Sequence, residues 1–308
     1  MGTPLLWVGF ILFVLLALAL DLGVFHRKAH KVAIREAAFF SAFWIGLALC
    51  FAFFVWRWFG PQHGLEFLTG YVIEKSLSID NLFIFLVIFR TFQVDDRVQH
   101  RVLAWGILGA LLTRGFMIAA GAVLISRFHW ILSLFGLFLL FTGIHMLWKR
   151  NKTYHFERNP LVRFASTHLR VTKEYRGAHF FLRQDSKLFA TPLLLVLLIV
   201  EITDITFAVD SIPAIFGITR DPFIVFSSNV FAILGLRALY FLLADMLGYF
   251  RYLGIGLALV LMFIGAKMLA EPWWHVSVGL SLGIVAAILL VTILISLLAG
   301  PKKMETAA

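Results

Sequence analysis

The sequence predicts an all-α fold, a polytopic membrane helical bundle of about nine spans. Apolar residues make up 61% of the 308 residues and charged residues 14%, where soluble domains carry about 25%. Continuous apolar runs of roughly 20 residues, the length that crosses a bilayer, recur along the whole chain. Because these runs do not alternate between apolar and polar residues, they predict helices and not a β-barrel, and we expect no strands within the membrane.

Nine such runs divide the chain, which we interpret as a single transmembrane domain over residues 1–308. The predicted spans are residues 4–23, 38–59, 67–89, 102–125, 130–148, 190–216, 222–245, 252–270 and 277–299. No basic residue precedes the first run at Pro4, and no small-residue cleavage pattern follows before the basic stretch HRKAHK. We therefore expect a retained span and not a signal peptide.

Lys and Arg residues in the connecting loops predict the orientation of the chain. Twenty of them fall in loops 24–37, 90–101, 149–189, 246–251 and the tail from residue 300. The alternate loops hold only Arg127 and Arg220. Since loops rich in Lys and Arg stay in the cytoplasm, we expect the N-terminus outside and the C-terminus in the cytoplasm. The net charge of +10 then predicts contact with anionic lipid of the bilayer, and no nucleic acid partner.

Two groups of three spans resemble each other. They are spans 3–5, at residues 67–148, and spans 6–8, at residues 190–270. The segment EKSLSIDN at 74–81 in the first group aligns with DITFAVDS at 204–211 in the second, with an offset of 130 residues. Both segments have an acid, five intervening residues, and then Asp followed by a small polar side chain.

The next two spans of each group extend the match. Arg114 corresponds to Arg237, and LFTGIHML at 140–147 resembles MFIGAKML at 262–269, with offsets of 123 and 122 residues. Because each repeat has three spans, the second repeat starts on the opposite side of the membrane from the first. The two repeats are therefore inverted relative to each other, an arrangement typical of transporters. A chance likeness of two glycine-rich apolar hairpins is the alternative.

The basic cytoplasmic loop at 149–189 is the only long polar segment, with ten Lys or Arg residues. Its stretch RFASTHLRVTKEY predicts an interfacial helix. Elsewhere the single cysteine, Cys50, excludes a disulfide within one chain and a cysteine-based zinc or redox motif.

Five carboxylates lie in the middle of spans 3 and 6, where a charge costs about 2.5–3.5 kcal/mol on insertion scales. They are Glu74, Asp80, Glu201, Asp204 and Asp210. Four basic residues of the spans offset part of this cost, namely Lys75, Arg114, Arg237 and Lys267. One interpretation is therefore that ion pairs lock the bundle, although buried pairs are rarely stabilising on balance.

The other interpretation is a cation site. Carboxylate oxygens, with Asn81, Ser211 and exposed backbone carbonyls nearby, are the hard ligands that Mg²⁺, Ca²⁺ and Mn²⁺ prefer. The two motifs contain no cysteine, so soft ions such as Cu⁺ are disfavoured. Ligand spacing alone does not separate Mn²⁺ from Ca²⁺.

Helix geometry requires more than one helix for this site. The two acids of each motif stand six residues apart and differ by about 240° around a straight helix, so they do not share a face. Glu201 and Asp204 do share one. Pro213 removes a backbone hydrogen bond and predicts that the sixth span opens there. A broken sixth span packed on the third would bring four or five carboxylates together.

The basic residues of the spans have several interpretations. Arg114 and Arg237 occupy corresponding positions of the two repeats and would be counter-ions of the carboxylates when no metal is bound. A purely structural contact of each arginine is the alternative. Lys267 lies near the outer end of its span, where it can gate the site or extend its ammonium to the interface.

The residues quoted above resemble a known family. GYVIEKSLSIDNLFIF, VEITDITFAVDSIPAIF and SNVFAILGLRALYFLL resemble the TerC family of integral membrane proteins, and TPLLW, FLTGY and DPFIVFSSN look most like its Alx branch. The resemblance covers nearly the whole chain. It implies a bacterial inner-membrane protein associated with manganese export, in a family also linked to tellurite resistance and to metal supply for exported proteins. It also implies that the five carboxylates are the acidic residues of the metal path.

We therefore predict a divalent cation exporter for Mn²⁺ that works by alternating access, with no prosthetic cofactor. Proton antiport is a hypothesis, because burial makes a carboxylate easier to protonate. The alternative function is a membrane accessory protein that delivers metal to exported proteins. A homo-oligomer and a partner in the secretion machinery both stay open. An enzyme is not predicted, since neither an HExxH motif nor a Ser-His pair is present. The paired acids leave intramembrane aspartyl chemistry as the remaining catalytic alternative.

Overall fold

The computed structural model of this chain describes most of its helical part. The described residues are 2–23, 34–128, 130–148, 172, 175, 177, 179–184, 187–244, 252–271, 273–274 and 276–300.

These residues form ten helices and one β-hairpin. The helices are α1 (Pro4–Gly23), α2 (Ile34–Phe59), α3 (Pro61–Thr91), α4 (Asp96–Arg127), α5 (Trp130–Trp148), α6 (Pro192–Phe216), α7 (Pro222–Leu234), α8 (Leu236–Ala244), α9 (Leu253–Ala270) and α10 (Val278–Leu298). The strands are β1 (Phe181–Gln184) and β2 (Lys187–Ala190), paired antiparallel. Each predicted span coincides with one helix, except that residues 222–245 hold both α7 and α8.

Several helices begin at residues suited to a helix start. Pro61, Pro192 and Pro222 stand in the first turn of α3, α6 and α7, where a missing N–H costs nothing. Asp95 caps α4 and Asp221 caps α7, each accepting a hydrogen bond from the backbone N–H two residues on.

Length and apolar composition qualify six of the helices to cross a membrane: α2, α4, α5, α6, α9 and α10. Helices α7 and α8 together form a seventh candidate if they count as one span that is bent by 42°. At 31 residues α3 is long enough, but charged residues interrupt its apolar sequence. The chain is thus a multi-pass helical membrane protein, whereas nine spans and the inverted repeats stay predictions.

The predicted opening of the sixth span at Pro213 is wrong. Helix α6 continues through Pro213 to Phe216 and ends with the Gly217 N–H donating to the Pro213 carbonyl at 3.0 Å. The proline stands in the last turn, so only one hydrogen bond near the helix end is lost.

The helix that breaks is the next one, at Gly235 between α7 and α8. A Cβ on Gly235 would lie 2.9 Å from Lys75 Nζ and 3.0 Å from Trp44 Cβ, so a larger residue at this bend would require these neighbours to shift. Lys75 Nζ donates to the Ala232 carbonyl at 3.2 Å. The ammonium therefore satisfies a carbonyl in the last turn before the break.

Helix α3 occupies the middle of the bundle, in contact with α2, α6, α7 and α10, while α4 packs on α6 and α7. Helices α5 and α9 pack along each other. In this arrangement the acidic segments of α3 and α6 lie next to each other and beside α4.

The hairpin was not predicted, and it lies at the end of the basic loop. Most of the predicted interfacial helix lies outside the described residues. Tyr175 donates its hydroxyl proton to the Phe92 carbonyl at 2.6 Å, and the Arg101 guanidinium lies 5.6 Å from the ring centre of Phe180. The end of the basic loop therefore packs on the turn between α3 and α4.

Candidate cation site

Arg114 of α4 is the centre of a buried polar cluster. Its Nη2 donates to Asp204 Oδ1 at 2.8 Å and its Nε to Asp204 Oδ2 at 3.1 Å, while Nη1 donates to Glu74 Oε1. Ser211 Oγ and Asn229 Oδ1 each lie 3.5 Å from Nη1. All five residues are buried, with Glu74 at 0% and Arg114 at 2% exposure. The guanidinium is thus enclosed by five oxygen atoms, which we call the oxygen cage.

Three helices supply the oxygen cage, and a fourth supplies the guanidinium inside it. Glu74 comes from α3, Arg114 from α4, Asp204 and Ser211 from α6, and Asn229 from α7. On α6 the two contributing residues stand seven apart, two helical turns, so both point to α4. Since no single helix supplies two carboxylates, the cluster exists only when α3 and α6 both pack on α4.

Two polar atoms of the cluster have no hydrogen-bond partner within the described part of the chain. They are Glu74 Oε2 and Asn229 Nδ2. A buried carboxylate oxygen without a donor costs free energy, so the cage has unused capacity to bind a donor or a cation.

Glu201 lies beside the cage, on the same helix as Asp204 and three residues before it, on the same face. Its carboxylate rests against α4 at Gly109, where a Cβ would overlap it, and it lies 4.0 Å from the Cβ position of Gly106. Glycine at 109 is therefore what allows the Glu201 carboxylate to lie against α4.

Asp210 does not join Arg114. It is half-buried and interacts with the Thr142 hydroxyl of α5. This placement agrees with the helical geometry, because residues six apart on α6 face different neighbours.

The partners of Asp80 cannot be placed, because its side chain lies outside the described residues. Its backbone belongs to α3, about 9 Å along the helix axis from Glu74. The next residue, Asn81, is buried at 3% exposure.

Arg237 and Lys267, the other predicted counter-ion and gating residue, have different surroundings. Arg237 is buried on α8 and lines a narrow cavity together with Asp204, Gly106 and Ala110. Lys267 is half-buried near the end of α9, where Glu271 and Glu66 act on its charge. Lys267 therefore belongs to another cluster.

Sequence reasoning missed two polar residues. Asn229 is one, although the polar run Ser227, Ser228 and Asn229 inside an apolar span was a visible signal. The other is Glu66, which is buried near the start of α3.

Both carboxylate oxygens of Glu66 have hydrogen-bond partners. Thr219 donates to its Oε2 at 2.8 Å and Gln62 to its Oε1 at 3.1 Å, while His63 Nδ1 lies 3.1 Å from Oε2. These contacts tie the start of α3 to the turn between α6 and α7.

Within the described residues no three His, Cys, Asp or Glu side chains are arranged to hold a metal ion together. Glu74 and Asp204 both face Arg114, so the guanidinium occupies the space between them. In this conformation the cage therefore holds a cationic side chain.

Comparison with known proteins supplies the family. The sequence model described as “Integral membrane protein TerC family” matches residues 59–304. An uncharacterised membrane protein of Myxococcus xanthus is 51% identical over 297 residues, covering 96% of this chain and 93% of that protein.

Two further relatives extend over similar lengths. The Escherichia coli protein named “Putative membrane-bound redox modulator Alx” is 48% identical over 304 residues, covering 96% of this chain and 95% of that protein. A membrane protein of Rickettsia bellii is 37% identical over 292 residues, with 95% and 97% covered. No solved structure matches the chain.

Proposed function

Since this chain belongs to the TerC family of integral membrane proteins, we propose that it exports a divalent cation, Mn²⁺, across the bacterial inner membrane. Transport proceeds by alternating access along a path of carboxylates formed by Glu74, Asp80, Glu201, Asp204 and Asp210. The N-terminus lies outside and the C-terminus in the cytoplasm, as the basic loops predict.

The observation that carries this proposal is the buried oxygen cage around Arg114. A carboxylate at membrane depth is expensive and marks a functional site by default. Here two carboxylates from two helices converge on one cation, with hydroxyl and amide oxygens beside them. Oxygen ligands of this kind suit Mn²⁺, Mg²⁺ and Ca²⁺, and the likeness to the TerC family favours Mn²⁺ among them.

The contact between α5 and α9 supports an inverted repeat. A Cβ on Gly143 would lie 2.7 Å from the Ala258 carbonyl oxygen, and a Cβ on Gly265 would lie 2.6 Å from the Gly136 carbonyl oxygen. Gly143 corresponds to Gly265, and Gly136 to Ala258, both with the offset of 122 residues found between the repeats. Adding or subtracting this offset turns the contact of Gly143 with Ala258 into the contact of Gly265 with Gly136. A two-fold axis that relates the two repeats requires this exchange.

The name of the Escherichia coli relative includes redox modulation. This chain contains a single cysteine, Cys50, so one copy cannot form a dithiol–disulfide couple. Cation export would affect redox enzymes only indirectly, by changing the metal content of the cytoplasm. We therefore keep cation export as the proposed activity.

The test is Mn²⁺ flux by the purified chain in liposomes, with Mg²⁺ and Ca²⁺ as competitors. Replacing one carboxylate of either motif, by Asp80→Asn or Asp210→Asn, should lower flux by about tenfold or more. Arg97→Gln, an exposed arginine at the start of α4, is the matched control and should stay within about twofold of the wild type.

Folded wild-type protein that moves no Mn²⁺ would contradict the proposal. Unchanged flux in both carboxylate variants would contradict the path. Repeating the wild-type assay with an imposed pH difference at constant membrane potential tests proton antiport, which is abandoned if the flux does not respond.

A further inference from the structure

We propose that Arg114 is a tethered counter-cation: its guanidinium fills the cation site while the empty transporter returns, and a metal ion entering the site displaces it. This inference rests on the proposed function and concerns the same site. It assigns Arg114 a step of the transport cycle and not only a structural role.

The contacts of the guanidinium are those that a hard cation would make. Its nitrogens meet both oxygens of Asp204 at 2.8 and 3.1 Å and one oxygen of Glu74. The Ser211 hydroxyl and the Asn229 amide oxygen complete the shell at 3.5 Å. A metal ion bound to these oxygens and the guanidinium cannot occupy the cage together, so they compete for it.

Charge balance gives the reason for a built-in cation. Within the oxygen cage itself, Glu74 and Asp204 would leave two negative charges with neither ion present. Arg114 reduces this to one, and a divalent ion in its place reduces it to zero. Unpaired buried charges are costly, and an arginine does not lose its proton in proteins. The guanidinium can therefore offset one of the two negative charges of the empty cage at any pH.

The cage also has capacity that the guanidinium leaves unused. Glu74 Oε2 has no hydrogen-bond partner among the described residues. A small ion with six or more oxygen ligands can use that atom, whereas the planar guanidinium does not.

Glu201 offers a second position for the displaced guanidinium. Glu201 and Asp204 stand three residues apart on one face of α6, about 4.5 Å along its axis. The Glu201 carboxylate lies directly on α4, because Gly109 has no Cβ. By moving about one turn, Arg114 exchanges the Asp204 carboxylate for that of Glu201.

The first test measures Mn²⁺ binding to the purified, folded chain by titration calorimetry, and needs no transport. Removing the competitor in Arg114→Gln should lower the Kd by about fivefold or more. Arg114→Lys should fall between this variant and the wild type, and Arg97→Gln should match the wild type. Equal or weaker binding by folded Arg114→Gln overturns the inference, whatever the wild type transports.

The second test separates net transport from exchange in liposomes. Net Mn²⁺ flux needs the empty transporter to return, whereas exchange of labelled for unlabelled Mn²⁺ does not. The ratio of net flux to exchange should fall by about tenfold or more in Arg114→Gln and partly recover in Arg114→Lys. An unchanged ratio overturns the inference. If Arg114→Gln does not fold, the same comparison between Arg114→Lys and wild type decides.

A double-mutant cycle tests the second position. Glu201→Gln should weaken Mn²⁺ binding when Arg114 is present, and have a smaller effect in the Arg114→Gln background. If Glu201→Gln costs the same in both backgrounds, Glu201 acts on the metal directly and the movement of Arg114 toward it is refuted.

Discussion

Arg114 and Asp204 stand 90 residues apart in the sequence and form a two-point ion pair inside the bundle. Asp204→Asn would leave the buried guanidinium with one carboxylate fewer, at a cost of about 3 kcal/mol in unfolding free energy. The exposed pair Arg220 and Glu271, 2.7 Å apart, is the control. Arg220→Gln should cost less than about 1 kcal/mol, because water screens exposed charges.

Denaturant titration of the purified variants in detergent measures both costs. Similar destabilisation by the two substitutions would mean that burial does not strengthen the pair of Arg114 and Asp204.

The cage also depends on Asn229, whose amide oxygen is a neutral hard ligand from α7. Asn229→Ala should weaken Mn²⁺ binding by about tenfold. Ser227→Ala is the matched control on the same helix, because the Ser227 hydroxyl donates to the Ile224 carbonyl of its own helix at 3.3 Å. Calorimetric titration with Mn²⁺ compares them, and equal effects of both substitutions would remove Asn229 from the site.

At the scale of elements, two glycines on different helices show opposite environments. A Cβ on Gly143 of α5 would meet the Ala258 carbonyl oxygen of α9 at 2.7 Å, whereas a Cβ on Gly46 of α2 would meet nothing within 4 Å. Gly143→Ala should therefore destabilise the protein by about 1–3 kcal/mol. Gly46→Ala should stabilise it by about 0.5–1 kcal/mol, since alanine favours the helix.

Thermal unfolding in one detergent compares these two variants with the wild type, and the expected shifts in Tm have opposite signs. An unchanged Tm in Gly143→Ala would mean that α5 and α9 separate easily. Their contact would then no longer support a two-fold axis between the repeats.

The chain breaks a helix at a different residue from the one that the sequence predicts. The sequence has a proline in α6, which predicts a break there, yet the chain bends at Gly235. Pro213 removes one backbone hydrogen bond, yet helix α6 continues past it to Phe216. Gly235 lets Trp44 and Lys75 approach the bend closely, because a Cβ there would lie 2.9 Å from Lys75 Nζ and 3.0 Å from Trp44 Cβ.

At the scale of the whole molecule, the distribution of Lys and Arg predicts which loops face the cytoplasm. A fluorescent protein fused after Ala308 should fluoresce, and alkaline phosphatase at that position should be inactive. Phosphatase inserted after Arg127 in the turn between α4 and α5 should be active, whereas phosphatase inserted after Gln93 should not. Activity at Gln93 would invert the predicted orientation and place the basic loop outside.

Sequence alone determined the fold class, the positions of the helices and the family, because the membrane imposes long apolar segments and the acidic motifs are specific. It also identified Glu74, Arg114 and Asp204 as charged residues that need partners, because charges in apolar spans are rare.

Only the tertiary structure decided which of these residues meet. Contacts across 90 or more residues depend on how α3, α6 and α7 pack against α4, and neither spacing nor composition encodes that packing. This is why Asn229 joins the cage while Asp210 faces α5. The structure also places the bend at Gly235, where Trp44 and Lys75 pack close to the glycine.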